Sequence, residues 1–257
     1  MSAVLEEPLV RVELRGGVAR VTLNRAAKYN VLSAAMMASL KSELERLGAD
    51  PGVRVIVLAA EGRAFSAGHD LNEMGADVDL EGMRALFASC SELMLAIRRL
   101  PQPVIARVQG LATAAGCQLV AMCDLAVASS DARFAVSGIN LGLFCSTPSV
   151  ALSRNVPQKP ALEMLLTGDF IDAATARERG LVNRVVPPEA LDAEVASLAA
   201  SIVAKSPAAV AAGKRLFYAQ RDLSIEAAYS LAGEVMAHNA TLEDARCGIA
   251  RFTKRPA

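Results

Sequence analysis

The chain has 257 residues, of which 53% are hydrophobic and 21% charged; it can enclose a full core and is too apolar to be disordered by composition. Lys plus Arg and Asp plus Glu both number 27, so no global field points to nucleic acid or to an anionic membrane, and a phosphate-bearing ligand must be met by a local patch. No run approaches the roughly 18 apolar residues of a membrane span, and Met1 to Pro8 carries acids where a signal peptide carries basic residues, which leads us to expect a cytoplasmic protein.

In chain order, Arg11–Leu14 and Val18–Leu23 alternate apolar with polar across Gly16-Gly17, the pattern of a hairpin. Ser33 caps a helix over Ala34 to about Leu47. After the Pro51-Gly52 turn, Val53–Ala60 reads as a strand buried on both faces. A helix over Arg84–Leu100, a strand over Pro103–Val108, a helix from near Ala115 and a strand over Asp124–Ala128 follow. Strands and helices at this spacing imply parallel pairing through right-handed crossovers, hence an α/β fold. Thr147-Pro148 supplies a capping hydroxyl and first-turn proline for another helix, while Asp172 and Pro187-Pro188 open helices around a strand at Leu181–Val186. From Leu191 the periodicity is helical, including Pro207–Gln220, Ser224–His238 and Thr241–Phe252. Those faces need another surface to cover them, either the main body or a second subunit. No internal repeat stands out.

Two segments carry the chemistry. Phe65-Ser66-Ala67-Gly68-His69-Asp70-Leu71 and Gly110-Leu111-Ala112-Thr113-Ala114-Ala115-Gly116-Cys117-Gln118-Leu119 are turns of small residues that open into apolar helical runs. Each leaves main-chain N–H groups unpaired at a helix start, and two such donors converging on one point make an oxyanion hole. Around them stand Asn24-Arg25 with Asn30-Val31-Leu32, Cys123-Asp124-Leu125-Ala126, Gly168-Asp169 with Ala173–Ala176, and Gly180-Leu181-Val182-Asn183-Arg184-Val185-Val186-Pro187. In this order the motifs resemble the enoyl-CoA hydratase/isomerase (crotonase) family over nearly the whole chain, with Ala26 replacing a usual proline. The resemblance implies a spiral of ββα units over 1–200 and a C-terminal helical region over 201–257 that builds homotrimers, commonly paired into homohexamers. It also implies an acyl-CoA ligand, with coenzyme A as part of the substrate and no separate cofactor.

Carried over residue by residue, the two oxyanion-hole donors fall on the main-chain N–H groups of His69 and Ala115. The second stands where the family usually has glycine; alanine keeps the N–H if the backbone there avoids positive φ. The two glutamates that family hydratases use as base and acid fall on Gln118, an amide, and on Gly138, which has no side chain. Classical hydration is therefore expected to be weak or absent, each lost group being worth roughly 10²- to 10⁴-fold in rate. A carbanion beside a thioester is also reached without a base when CO₂ leaves, and relatives that decarboxylate malonyl-type CoA thioesters share a similar S-A-G-H-D segment. A non-catalytic acyl-CoA-binding protein is the third reading.

The His69 imidazole either packs beside the acyl chain or does acid–base work. Asp70 with Glu73 resembles a helix-capping pair. Cys145 reads as a small apolar lining residue, the alternative being a nucleophilic thiol. Ser137, Asn140 and Ser146 are polar candidates near the empty acid position. By resemblance, the substrate-binding set comprises Lys28, Val31, Arg63, Ala67, Asp70, Leu71, Gly138 and Cys145, with Phe252 and Lys254 or Arg255 reaching a neighbouring subunit's coenzyme. Five cysteines without a C-x-x-C and two histidines without a second ligand at i+3 or i+4 suggest reduced thiols and no metal. No basic stripe or aromatic platform points to RNA.

Overall fold

A computed structural model describes residues 7–75 and 77–253. Strands β1 (Val10–Arg15) and β2 (Val18–Leu23) form the expected antiparallel hairpin. Gly16 and Gly17 both stand at positive φ, as a two-residue hairpin turn of this hand requires. Helix α1 (Ala34–Gly48) starts where the Ser33 Oγ accepts the Met36 N–H at 3.2 Å. After it come β3 (Val55–Ala60), β4 (Ala64–Ser66), α2 (Leu80–Arg99), β5 (Val104–Val108), β6 (Leu111–Thr113), α3 (Ala115–Met122), β7 (Leu125–Ser129) and β8 (Arg133–Ala135). The remainder is α4 (Ser146–Leu152), α5 (Gln158–Thr167), β9 (Ile171–Asp172), α6 (Ala173–Glu178), β10 (Arg184–Val186), α7 (Leu191–Val203), α8 (Pro207–Gln220), α9 (Ile225–Thr241) and α10 (Glu243–Thr253).

The strands make two sheets, in the orders β1-β2-β3-β5-β7-β10 and β4-β6-β8-β9. From β3 onward the chain lays a strand in the larger sheet, then a short strand in the smaller one, and returns through a helix. This recurring ββα unit is the repeat that the sequence hides, because strands of two or three residues are too short to display an alternation. The central strands of the first sheet are buried on both faces. Ile56 and Leu58 of β3 enter the main core, while Val55 and Val57 on its other side pack with Ile105, Val127 and the α7 residues Leu191, Val195 and Ala199. Phe65 and Phe134, both fully buried, anchor the smaller sheet.

Several boundaries differ from expectation for local reasons. Helix α2 begins at Leu80 rather than Arg84, because the Asp79 side chain accepts the Gly82 N–H at 2.9 Å and caps a turn that Gly82 disguises. Thr147 does not cap α4: Cys145 holds that position without a side-chain cap bond, and Thr147 lies inside the helix. Strand β10 begins at Arg184 rather than Leu181, since the N–H groups of Leu181 and Val182 donate to the Ala176 carbonyl and close α6 instead of joining a ladder. The cap expected at Asp172 does form, its carboxylate accepting the Thr175 N–H at 2.8 Å to open α6.

Helix α7 straddles residue 200 and is tied to the larger sheet by Asp192, which accepts Arg107 Nε and Nη2 at 2.7 and 2.8 Å and Arg20 Nη1 at 2.9 Å. The Arg107 hydrogen bonds, with a smaller contribution from Arg20, hold its carboxyl at about 2, below the ordinary 3.8. A carboxylate depressed on folding stabilises above its unfolded value and loses that contribution as pH falls through the folded one. Urea unfolding of wild type and Asp192→Asn is thus expected to differ at pH 7 and to converge between about pH 4 and pH 2; a difference that persists unchanged at pH 2 would refute this.

Helices α8, α9 and α10 bury no residue fully in the single chain. Phe217, Ile225, Tyr229, Met236, Ile249 and Phe252 are exposed on them. Among the described residues no single helix is long and apolar enough to cross a membrane.

Candidate active site

The site begins with two neighbouring strands. β4 and β6 are parallel and adjacent, with Ala64 opposite Leu111 and Ser66 opposite Ala112, so the loops that leave their C-terminal ends emerge side by side. The first loop is Ala67-Gly68-His69 and the second Ala114-Ala115. Their contact is close: a Cβ built on Gly68, which stands at φ +90°, would lie 3.0 Å from the Thr113 carbonyl oxygen and 3.1 Å from the Ala115 nitrogen. Gly116 permits the same approach one residue later, where a Cβ would lie 2.2 Å from the Ser66 carbonyl oxygen. Neither the His69 nor the Ala115 N–H donates to a protein acceptor among the described residues.

Each loop is held from behind. The Ser66 Oγ accepts the Gly68 N–H at 3.2 Å, and the Gly68 carbonyl accepts the Leu32 N–H at 2.7 Å. Asn30, fully buried and at φ +51°, accepts the Arg25 N–H at 2.8 Å and donates to the Glu61 and Ala64 carbonyls at 2.9 and 2.8 Å. This amide is why asparagine stands in the early motif: it ties the segment beside His69 to β4. The positive φ that would have threatened the second donor falls one residue earlier, on Ala114 (φ +51°, ψ −120°), leaving Ala115 as the first helical residue of α3. There its N–H lies at the positive end of the helix dipole.

Both donors border one cleft of about 580 Å³. Of the residues expected to bind substrate, Val31, Ala67, Asp70, Leu71, Gly138 and Cys145 line it with His69 and Ala115. Lys28 and Arg63 do not: Lys28 is exposed, and the Arg63 guanidinium lies 4.6 Å from the centre of the Tyr29 ring. Phe252 is exposed near the end of α10 and does not line the cleft in the single chain, and Lys254 and Arg255 lie outside the described residues. Ser137 and Ser146 are on the wall and Asn140 is not.

Gln118 is also absent from the wall. It is buried, and its Oε1 accepts a long contact from the Cys90 thiol of α2 at 3.9 Å. Gly138 lines the cleft but has no room for a side chain, since a Cβ would lie 2.6 Å from the Leu143 carbonyl oxygen and 2.7 Å from the Cys145 Sγ. The Gly138 N–H donates to that sulfur at 3.3 Å. Burial raises the Cys145 thiol above its ordinary pKa, with the Gly138 bond opposing, so the sulfur is a lining atom rather than a thiolate nucleophile.

Asp70 is the one carboxylate among the described lining residues. It accepts the Asn72 N–H at 3.0 Å and the Asn72 Nδ2 at 2.8 Å, and these bonds hold it below the ordinary carboxylate value. That is the wrong direction for a general base, which works best with a pKa near the operating pH. The expected capping pair is only half formed, because the Glu73 Oε2 accepts the Ala34 N–H at 2.7 Å and caps α1 instead. The run after Asp70 is correspondingly a short 3₁₀ turn, Leu71–Met74, and not an extended helix.

Sequence reasoning missed Phe87, Met74, Leu141 and Phe144 on the wall. Phe87 sits one position off the buried stripe of α2, whereas Leu141-Gly142-Leu143-Phe144 left a readable signal: large apolar residues around a turn glycine, all exposed in the single chain.

Residues 13–256 match the model of the enoyl-CoA hydratase/isomerase family. A Xenopus laevis protein named enoyl-CoA hydratase domain-containing protein 3, mitochondrial, is 46% identical over 96% of this chain and 84% of its own length. A crystal structure of an enoyl-CoA hydratase from Mycobacterium smegmatis superposes with a TM-score of 0.95 at 57% identity, covering 98% of this chain and 99% of that one. The human enoyl-CoA hydratase domain-containing protein 3 gives 0.93 at 43% identity, covering 97% and 99%.

Proposed function

The chain belongs to the enoyl-CoA hydratase/isomerase family, and on that premise we propose that it is an enzyme that polarises the thioester carbonyl of an acyl-CoA and stabilises the resulting enolate between the His69 and Ala115 N–H groups. The observation that carries this reading is the pair of unpaired donors on one apolar cleft. Coenzyme A enters as part of the substrate. Classical hydration is weak or absent in this reading, since Gln118 is turned toward Cys90, position 138 has no space for an acid, and Asp70 is a poor base.

Ala115→Pro tests the donor directly. Proline is tolerated at the first helical position, where it replaces the N–H with a ring methylene that also occupies the oxyanion position, so thioester turnover is expected to fall by at least about 10²- to 10³-fold with the circular dichroism spectrum retained. Turnover that survives in a folded variant would sink the reading. The second reading, loss of CO₂ from a malonyl-type thioester, draws support from the lack of a suitable carboxylate base among the described lining residues; release of CO₂ and the shortened acyl-CoA from methylmalonyl-CoA is its measurement. The exposed apolar residues of α8 to α10 support assembly into a trimer or hexamer, and a monomer mass in sedimentation equilibrium would exclude both.

A further inference from the structure

The peptide that joins Gly68 to His69 is one rigid plane, with its carbonyl and its N–H pointing in opposite directions across the trans bond. The Gly68 carbonyl accepts the Leu32 N–H at 2.7 Å, so whatever holds Leu32 in place also aims the His69 N–H on the far side of that plane. Gly68 cannot set the direction itself, because at φ +90° and without a Cβ it leaves the loop free to turn. A second bond, from the Ala67 N–H to the Tyr29 carbonyl at 3.0 Å, ties the same loop to the same segment. Tyr29–Leu32 is therefore the mount of the first oxyanion donor.

The mount has an unusual backbone. Tyr29 and Asn30 stand in succession at φ +53° and +51°, a region that L residues rarely enter and that asparagine tolerates better than most. Such a conformation persists only where its surroundings over-determine it. The Asn30 amide does this from behind, through its bonds to the Arg25 N–H and to the Glu61 and Ala64 carbonyls. Ala64 opens β4, the strand that leads into the loop, so one side chain locks the mount to the strand that carries the donor. Asn30 is fully buried and does not line the cleft. We propose that Asn30 is a positioning residue that aims the His69 N–H at the thioester oxygen, acting through Leu32 and the Gly68–His69 peptide, an inference that rests on the reading of the cleft as a thioester site. Its loss weakens the polarisation of the carbonyl without removing a group that touches the substrate.

Infrared difference spectra of butyryl-CoA labelled with ¹³C at the thioester carbonyl test this without any turnover. Wild type is expected to lower the carbonyl band of the bound thioester relative to the free one. Asn30→Gly accepts the left-handed φ and leaves the Ala64 carbonyl its bond from Gln109 Nε2 at 3.1 Å. It is expected to stay folded by circular dichroism and to return the band part of the way to its free position, while affinity for butyryl-CoA falls by no more than about 10-fold, the worth of one net hydrogen bond. Asn30→Asp, which keeps the shape and the acceptor for the Arg25 N–H but offers at most one donor, should move the band the same way. Lys214→Met is the control: it removes a buried hydrogen-bonded charge from a residue that does not line the cleft, and it should leave the band where wild type has it. The proposal falls if the folded Asn30 variants keep the wild-type band, or if Lys214→Met moves the band as far as they do, since loss of stability would then account for the shift. In both cases the reading of the cleft stands, because wild type still lowers the band. A wild type that fails to bind butyryl-CoA or leaves its band unshifted overturns both.

Discussion

Gly116→Ala is expected to abolish thioester turnover, lowering it by at least about 10²-fold, and to destabilise the fold by about 1–3 kcal/mol or more. The methyl carbon would lie 2.2 Å from the Ser66 carbonyl oxygen and 2.9 Å from the Ser66 Cβ. The first of these is main chain in a fully buried strand residue, which cannot swing aside. The start of α3 must then lift away from β4, and the Ala115 N–H moves with it while the His69 N–H stays. Thermal unfolding and thioester affinity measured together check the result. Wild-type affinity in Gly116→Ala would mean that the two loops need not touch.

Lys214→Met is expected to cost about 3–5 kcal/mol, the penalty of leaving a buried charge without its partner. Lys214 of α8 donates to Asp124 Oδ2 at 2.6 Å and to the Ile97 and Gln102 carbonyls at 3.0 and 2.9 Å. Asp124 also accepts the Tyr218 hydroxyl at 2.8 Å and the Val104 N–H at 2.7 Å. Side-chain exposure is 6% for Lys214 and 13% for Asp124, so solvent offers little rescue. The pair fastens α8 to the body of the chain. Urea unfolding should show the loss, with Lys214→Met plus Asp124→Asn recovering part of it because the orphaned charge is gone. A single variant within about 0.5 kcal/mol of wild type would place this pair with ordinary surface contacts.

The Gly110–Leu119 motif was legible because its requirements are local. Close backbone approach demands Gly116, and a helix start leaves N–H groups free whatever surrounds it. Asn30 was legible as part of a motif, though two of the three hydrogen bonds that explain it, to the Glu61 and Ala64 carbonyls, join segments that are separated along the chain. The α/β class followed from the long buried runs, whereas the second sheet escaped notice because its strands are too short to show a period.

Fold class, family resemblance and the supply of main-chain donors could all be read from the residues in order, since each depends on residue identity and near neighbours. Which side chains face the cleft could not. Packing turned Gln118 toward Cys90, filled the space at Gly138 with the Cys145 sulfur, gave Glu73 to α1 and brought Phe87 beside His69. The physical reason is that a side chain's direction depends on how whole elements pack, and the adjacency of β4 and β6 that joins the two donors is a pairing between strands distant in the chain.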